Sequence, residues 1–596
     1  MRWLKRIVFG FLALVGFMTL ALAALALWAG MSLLAPSSRA VPEATVLELD
    51  LTKAPAEAGS SDGIIDLLAP KRLSVRQIEE ALERAGGDER VKGLLVRLGT
   101  SFSYATNEEL RDAITAFRKQ GKFTLAFAES YGEASSGSGG YPIAAACQEI
   151  WLQPSGELNL TGVVAETPFL KGTLDKLGVV PRIDKREEYK TAADELTETG
   201  YSPAFKESLE SILGSLYDQL ARAVADGRGL SIEATKALID RGPFLAEDAI
   251  AAKLVDHLGY HHEARAAARR RAGPGGKLVQ LGDYYRATRE SGGEGPVIAM
   301  IAANGPIVSG SSGLDEPFGV TRIGADTLSD TIEEAARAKD VAAILLRIDS
   351  PGGSYVASDT IWRAVNDAKA AGKPIIVSMG EVAASGGYFI AAPATKIVAE
   401  PGTLTGSIGV FGGKMVLKGL FDKLGVNIEA VKFGTNATLW SSNEDFTPEG
   451  LSHLEASLDA VYKDFTTKVA TARDIAASRI PEIAKGRVFT GAQARKLGLI
   501  DALGGFPEAL ELARAAAHIK AGEPVRLRAY PTHGRELHEL VQRLLAGTGV
   551  AAAPLASRLA RELSTSVTAL APLMAELPAL AEPGESWLLL PPIAVR

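Results

Sequence analysis

Lys171-Gly-Thr-Leu-Asp-Lys-Leu-Gly-Val179 recurs as Lys418-Gly-Leu-Phe-Asp-Lys-Leu-Gly-Val426, 247 positions further along a chain of 596 residues. Other blocks recur around this pair in the same order. Ser138-Gly-Gly-Tyr141 returns as Ser385-Gly-Gly-Tyr388, and Val91–Arg97 (VKGLLVR) returns as Val341–Arg347 (VAAILLR). Gly242-Pro-Phe with Leu254-Val-Asp-His-Leu-Gly259 returns as Gly486-Arg-Val with Leu499-Ile-Asp-Ala-Leu-Gly504. The spacings drift by a few positions, as loop insertions make them do. Four blocks in one order mark an internal duplication. One repeat is assigned to 45–285 and the other to 295–530, joined through Ser291-Gly-Gly-Glu-Gly-Pro296, a linker composition.

Within a repeat, short apolar runs alternate with longer amphipathic ones. Val297–Ala302, Ala343–Ile348 and Pro374–Val377 have strand length. Thr327–Ala338 and Ala357–Ala371 carry apolar residues at helical spacing. Strand and helix in alternation predict two tandem α/β domains with largely parallel sheets.

Composition narrows the function. Hydrophobic residues make up 47% of the chain, enough for large cores, and the net charge is -7, which lacks the concentrated basic face of a nucleic-acid binder. The single cysteine, Cys147, excludes an intramolecular disulfide, and no Cys/His zinc spacing occurs. Cys147 ends the run Ile143–Cys147 and reads as a small buried hydrophobe. The adjacent His261 and His262 point in different directions on either a helix or a strand and read as surface residues. No metal or cofactor is expected.

The N-terminus predicts location. Arg2, Lys5 and Arg6 form a basic tip (1–6), followed by 22 residues without charge, Ile7 to Trp28. That length crosses a hydrocarbon core of about 30 Å as a helix and exceeds the roughly 7–15 apolar residues of a cleaved signal. A transmembrane anchor is placed at 7–34, with the basic tip cytoplasmic and the rest of the chain across the membrane. The Ala/Leu/Pro-rich tail, 531–596, receives no role. Its apolar run Trp587–Ile593 is too short for a second span and is broken by Pro591 and Pro592.

Three glycine-rich elements of the second repeat carry the chemistry. Asp349–Ser354 (DSPGGS) follows a predicted strand, and its two glycines permit backbone conformations that turn amides toward a ligand. Ala383–Tyr388 (AASGGY) sets Ser385 among small neighbours at a strand-to-helix junction. Pro401–Gly409 (PGTLTGSIG) holds Ser407. Each has a bland reading as a turn or cap; the three in this order do not.

Together they resemble the long, duplicated form of the signal peptide peptidase (protease IV) family, in the Clp-protease and crotonase-like superfamily. The resemblance covers about 45–525 and extends to the anchor. It implies two Clp/crotonase-like domains and a Ser–Lys dyad: Ser385 as nucleophile, oxyanion donors among the amides near Gly353 and Gly386, and Ser407 bonded to the lysine. It also implies that the lysine comes from the first repeat. The matching segment is Glu188-Tyr-Lys-Thr-Ala192, so Lys190 becomes the general base; the corresponding position in the second repeat is Ala437. An exposed lysine titrates near about 10.4 and is a poor base, so the role requires burial, which disfavours the ammonium. Glu187, Glu188 and Asp194 are therefore expected to point away from Lys190.

The first repeat departs from the pattern. Ser138 is present, but its preceding loop, Arg97–Phe102, lacks Pro-Gly-Gly. Loss of one oxyanion donor costs roughly 3–4 kcal/mol, and Ser138 is read as a relic. The resemblance further implies cleavage of short hydrophobic peptides, chiefly released signal peptides, by a periplasm-facing enzyme of the bacterial inner membrane, with assembly into a homo-oligomer, a tetramer. Three rivals stay open: a crotonase-like acyl-CoA enzyme, which would not need Ser385; a scaffold that has lost catalysis; and a different Ser–Lys protease acting on membrane-protein segments.

Overall fold

The computed structural model describes residues 41–55, 72–99, 102–133, 135–288, 295–315, 320–520, 523–531 and 586–589. The expected basic tip and anchor, and most of the tail, lie outside them. Among the described residues no helix is long and apolar enough to cross a membrane.

Each repeat builds a mixed α/β unit on a parallel sheet. In the first, strands run in the order His257–Leu258, Glu149–Leu152, Phe123–Ala128, Val91–Leu98, Thr45–Leu51, Lys277–Gln280. In the second, Ala502–Leu503, Lys396–Ala399, Ile375–Ala384, Val341–Ser350, Val297–Asn304 and Arg526–Ala529 follow the same order, again all parallel. The duplication read in the sequence is thus a duplication of topology.

These strands read as nearly continuous apolar runs because both sheet faces are covered. Alternate residues of Val297–Asn304 go to opposite cores. Val297, Ala299, Ile301 and Ala303 pack under the helices Ala325–Arg337 and Tyr355–Ala370. Ile298 packs with Leu345, Ile376 and Val398 under the helix Phe506–Ala516. In the first repeat, Leu47, Leu49 and Leu51 face one core, while Val46, Leu95 and Phe127 face the helix His261–Ala272. That helix corrects the reading of His261. Its ring is half-buried and stacks on Phe127, with centroids 5.1 Å apart, because the first helical turn lies over the sheet. His262 is exposed, and Cys147 is buried.

The strands before the glycine-rich elements are longer than expected. Val341–Ser350 and Ile375–Ala384 run right up to Pro351 and Ser385. Their pairing shifts register between Ile348 and Ser350, where Asp349 Oδ1 accepts the Val382 amide at 3.1 Å.

A further sheet joins the repeats. The strand Val180–Lys185 of the first repeat pairs antiparallel with Phe411–Val416 of the second. The tail strand Ser586–Leu589 then lies between Phe411–Val416 and Gly352–Ser354. A buried polar seam adds to the join. Arg347 donates to Glu109 at 2.7 and 3.1 Å, and Glu108 accepts the Gly402 amide at 2.7 Å.

Candidate active site

Ser385 caps the helix Gly386–Ala391 with φ 54 and ψ -113. A non-glycine residue with positive φ is strained. Two contacts hold it: its amide donates to Gly406 O at 2.8 Å, and its carbonyl accepts from the Phe389 amide at 2.8 Å. The strand end thus turns sharply into a helix whose first residues are glycines, and the side chain projects from the junction.

Threonines sew the loop 401–409 to the strand beneath Ser385. Thr403 Oγ1 donates to Gly380 O at 2.8 Å, and Thr405 Oγ1 donates to Ala383 O at 2.6 Å. Ser407 also has positive φ, 52, and its amide donates to Arg487 O at 2.8 Å.

Lys190 arrives from the first repeat on an irregular segment clamped by the second. The Arg186 amide donates to Val410 O at 2.9 Å and the Tyr189 amide to Lys485 O at 3.1 Å. Lys190 Nζ lies 2.6 Å from Ser385 Oγ, 3.0 Å from Ser407 Oγ and 3.2 Å from Ser407 O. All three residues are fully buried. The neighbouring carboxylates are engaged elsewhere: Asp194 pairs with Lys185 at 2.5 Å, Glu188 pairs with Lys485 at 3.0 Å, and Glu187 is exposed.

Gly353 and Gly386 are brought side by side. A Cβ on Gly386 would stand 3.0 Å from the Gly353 nitrogen and 2.8 Å from Ser358 Oγ. Gly353, at φ 157, has no room for a Cβ, which would meet Ile307 O at 2.0 Å. Ser138, by contrast, is buried in the first repeat, where its Oγ accepts the Thr161 and Gly162 amides at 3.2 and 3.1 Å.

Sequence reasoning used Gly486 only as a marker of the duplication. Here, at φ 79, it packs against the Lys190 backbone, and a Cβ would meet Lys190 N at 2.5 Å. Glu108, which holds Gly402 at the head of the Ser407 loop, was not singled out either; a carboxylate within an amphipathic helix carries no local mark of such a contact.

The chain is similar to known proteins over most of its length. The description "Peptidase family S49" matches residues 116–273 and 367–520. The chain is 34% identical over 464 residues to Protease 4 of Salmonella typhi, covering 75% of this chain and 72% of that protein. It is 33% identical over 465 residues to the chloroplastic serine protease SPPA of Arabidopsis thaliana, covering 76% and 67%. Protease 4 of Haemophilus influenzae is 28% identical over 466 residues, covering 74% and 73%.

Proposed function

The chain belongs to peptidase family S49 and is a serine protease, and from that premise we propose that it hydrolyses peptide bonds with Ser385 as nucleophile and Lys190 as general base. The observation that carries this reading is the 2.6 Å contact between Lys190 Nζ and Ser385 Oγ, with Ser407 Oγ 3.0 Å away on the lysine. As a neutral amine, Lys190 takes the proton while Ser385 Oγ adds to the scissile carbonyl. The amides of Gly353 and Gly386 stabilise the oxyanion. The C–N bond then breaks, the lysine returns its proton to the leaving amine, and water resolves the ester by the reverse sequence. Ser407 orients the lysine. The substrates are short hydrophobic peptides, released signal peptides among them, and the segment 7–34 anchors the enzyme in the bacterial inner membrane with both repeats on the periplasmic side.

A fluorophosphonate probe tests the dyad. The parent labels; Ser385→Ala and Lys190→Ala do not. Normal labelling of Lys190→Ala sinks the base assignment, and a folded parent that never labels sinks the mechanism.

We also infer that copies assemble head to tail. In the chain, Gly178 lies so close to Gly419 that a Cβ on it would meet Gly419 C at 2.7 Å. At the repeat spacing their counterparts are Gly425 and Gly172, and both face open space. The counterparts of the paired strands Val180–Lys185 and Phe411–Val416 are residues 427–432 and 164–169. Neither forms a strand, apart from a bridge at Ala165, and Val431 and Phe433 stand 93% and 94% exposed. The one proline rung is preserved: Pro181 faces Met415 in the chain, and Pro168 would face Ile428. A second copy repeating the pairing fills both edges. Such a heterologous contact generates a ring when its rotation closes, and a tetramer is the size the family resemblance implies. The ion pair Arg182–Asp445 has no counterpart, since Glu429 stands in place of Arg182, so this contact rests on backbone pairing and apolar burial.

A further inference from the structure

We propose that the end of the first repeat at which its sheet begins is a docking surface for the anionic headgroups of the bilayer, holding that repeat against the membrane. The inference rests on the reading of segment 7–34 as an anchor.

The strands of the first sheet all start at this end, because they run parallel: Thr45 pairs with Val91 and with Lys277, and Phe123 pairs with Gly93. The covering helix His261–Ala272 runs the other way. His261 stacks on Phe127, late in its strand, while Arg271 lies over the ring of Phe123, where that strand begins, 4.9 Å from the centroid. The helix Tyr104–Lys119 also ends here, since Lys122 just beyond it donates to Asp88 O and Val91 O at 2.8 and 2.7 Å. Helix ends and strand starts therefore share one surface. Lys92, Lys119, Arg269, Arg270 and Lys277 are exposed on it.

A cationic last turn complements the helix dipole, and that accounts for some of these residues. Two observations go beyond it. Lys119, Arg269, Arg270 and Lys277 pair with no carboxylate among the described residues, whereas Arg90 and Arg271 on the same end pair with Asp88 and Glu149. The exposed acids beside them are Glu43 and Glu89. The second repeat then serves as an internal control. Its helix Phe506–Ala516 covers the same face of the matching sheet and carries Glu508, Glu511 and Arg514. The first repeat's helix sets Glu263 against Arg265, Arg269, Arg270 and Arg271. At the matching end of the second sheet cations are paired, Arg528 with Asp340 at 2.5 Å and Lys396 with Asp501 at 3.1 Å. The fold thus does not require the excess positive charge, which is local in a chain of net charge -7.

The tether identifies the occupant. The described chain begins at Val41, seven positions beyond residue 34, a span of about 25 Å at full extension. It enters at the basic end: the Thr45 amide donates to Arg90 O at 2.8 Å, and the Lys277 amide donates to Ala44 O at 3.2 Å. These cations lie more than about 20 residues from the anchor segment, so they do not set its orientation. Attraction to anionic lipid acts within a Debye length, about 8 Å in physiological salt. Each cation held there strengthens binding roughly fivefold.

The test uses the full chain reconstituted in vesicles of phosphatidylcholine, with or without added phosphatidylglycerol. A fluorophore is attached at Pro274→Cys, in the exposed turn after Arg271, or at Lys53→Cys, beyond the far end of the first strand. Cys147 is buried and stays unlabelled. Quenchers on the lipid headgroups report contact. Quenching is expected at the first site only, only with phosphatidylglycerol, and not in high salt. In Arg269→Gln/Arg270→Gln/Lys277→Gln the ratio of docked to undocked chain should fall roughly a hundredfold, with fluorophosphonate labelling unchanged. Chain that floats with both kinds of vesicle and shows no dependence on phosphatidylglycerol overturns the proposal and leaves the anchor standing. Flotation with neither overturns both. Flotation only with phosphatidylglycerol, lost in the triple variant, upholds the basic end and overturns the anchor. Salt-sensitive binding to duplex DNA without lipid-dependent quenching assigns the surface to another partner and overturns the proposal.

Discussion

In the proposed dyad, Lys190 is held by neighbours of its own chain, and their roles are open to test at single residues. Ser407 supplies two oxygens to Nζ. Ser407→Ala removes the hydroxyl one, and a hydrogen bond of this kind contributes about 0.5–1.5 kcal/mol. The expected outcome is a kcat lowered roughly three- to tenfold with KM unchanged; a change confined to KM would show that Ser407 contacts substrate instead. Gly486→Ala acts through the backbone. It puts a methyl 2.5 Å from Lys190 N at a position with φ 79, so the lysine must shift. Fluorophosphonate labelling should fall by more than tenfold while circular dichroism keeps the α/β signature, since a misplacement of about 1 Å can cost 10²-fold. Unchanged labelling would mean that the clamp has slack.

At the scale of elements, the helix Tyr104–Lys119 of the first repeat buttresses the Ser407 loop of the second through Glu108 and Gly402. Burial pushes the Glu108 carboxyl up to about 8, and Glu79 and Glu400 beside it are likewise raised by burial. Arg347 and Arg111 face the same seam. A carboxyl raised in the folded state contributes stability that is complete below its unfolded value, near 4.5, and is lost as pH rises through about 8. The melting temperature should therefore fall between these pH values. Glu108→Gln keeps an acceptor for the Gly402 amide and should flatten part of that slope, leaving the share of Glu79 and Glu400. A parallel slope in parent and variant would remove Glu108 from the account.

At the scale of the whole molecule, Lys190 and Ser385 meet within one chain although 195 residues separate them. Mixing Ser385→Ala with Lys190→Ala protein should therefore restore no activity; recovery toward the parental rate would mean that the dyad forms between copies. Assembly is tested at Val431, which is 93% exposed in the single chain. Val431→Asp puts a charge into the inferred contact, and light scattering should report a smaller particle than the parent with the fold intact. An unchanged mass places the interface elsewhere.

The sequence by itself determined the duplication, the alternation of strand and helix, and the glycine-rich loops around Ser385, because each leaves a local or periodic trace. Buried strands read as apolar runs, helices as spaced apolar residues, and sharp turns as glycine. Lys190 was legible only through the resemblance of Glu188–Ala192 to a family segment, since a lysine among charged residues otherwise reads as surface. The anchor at 7–34 is a sequence reading that the described residues do not reach. Tertiary structure alone decided the rest: the clamp of Gly486 on Lys190, the seam of Glu108 and Arg347, the sheet that joins Val180–Lys185 to Phe411–Val416, and the tail strand between Phe411 and Gly353. The physical reason is common to all four. A contact between distant segments is selected by shape, burial and backbone pairing in three dimensions, and these impose no spacing on the residues nearby in the chain.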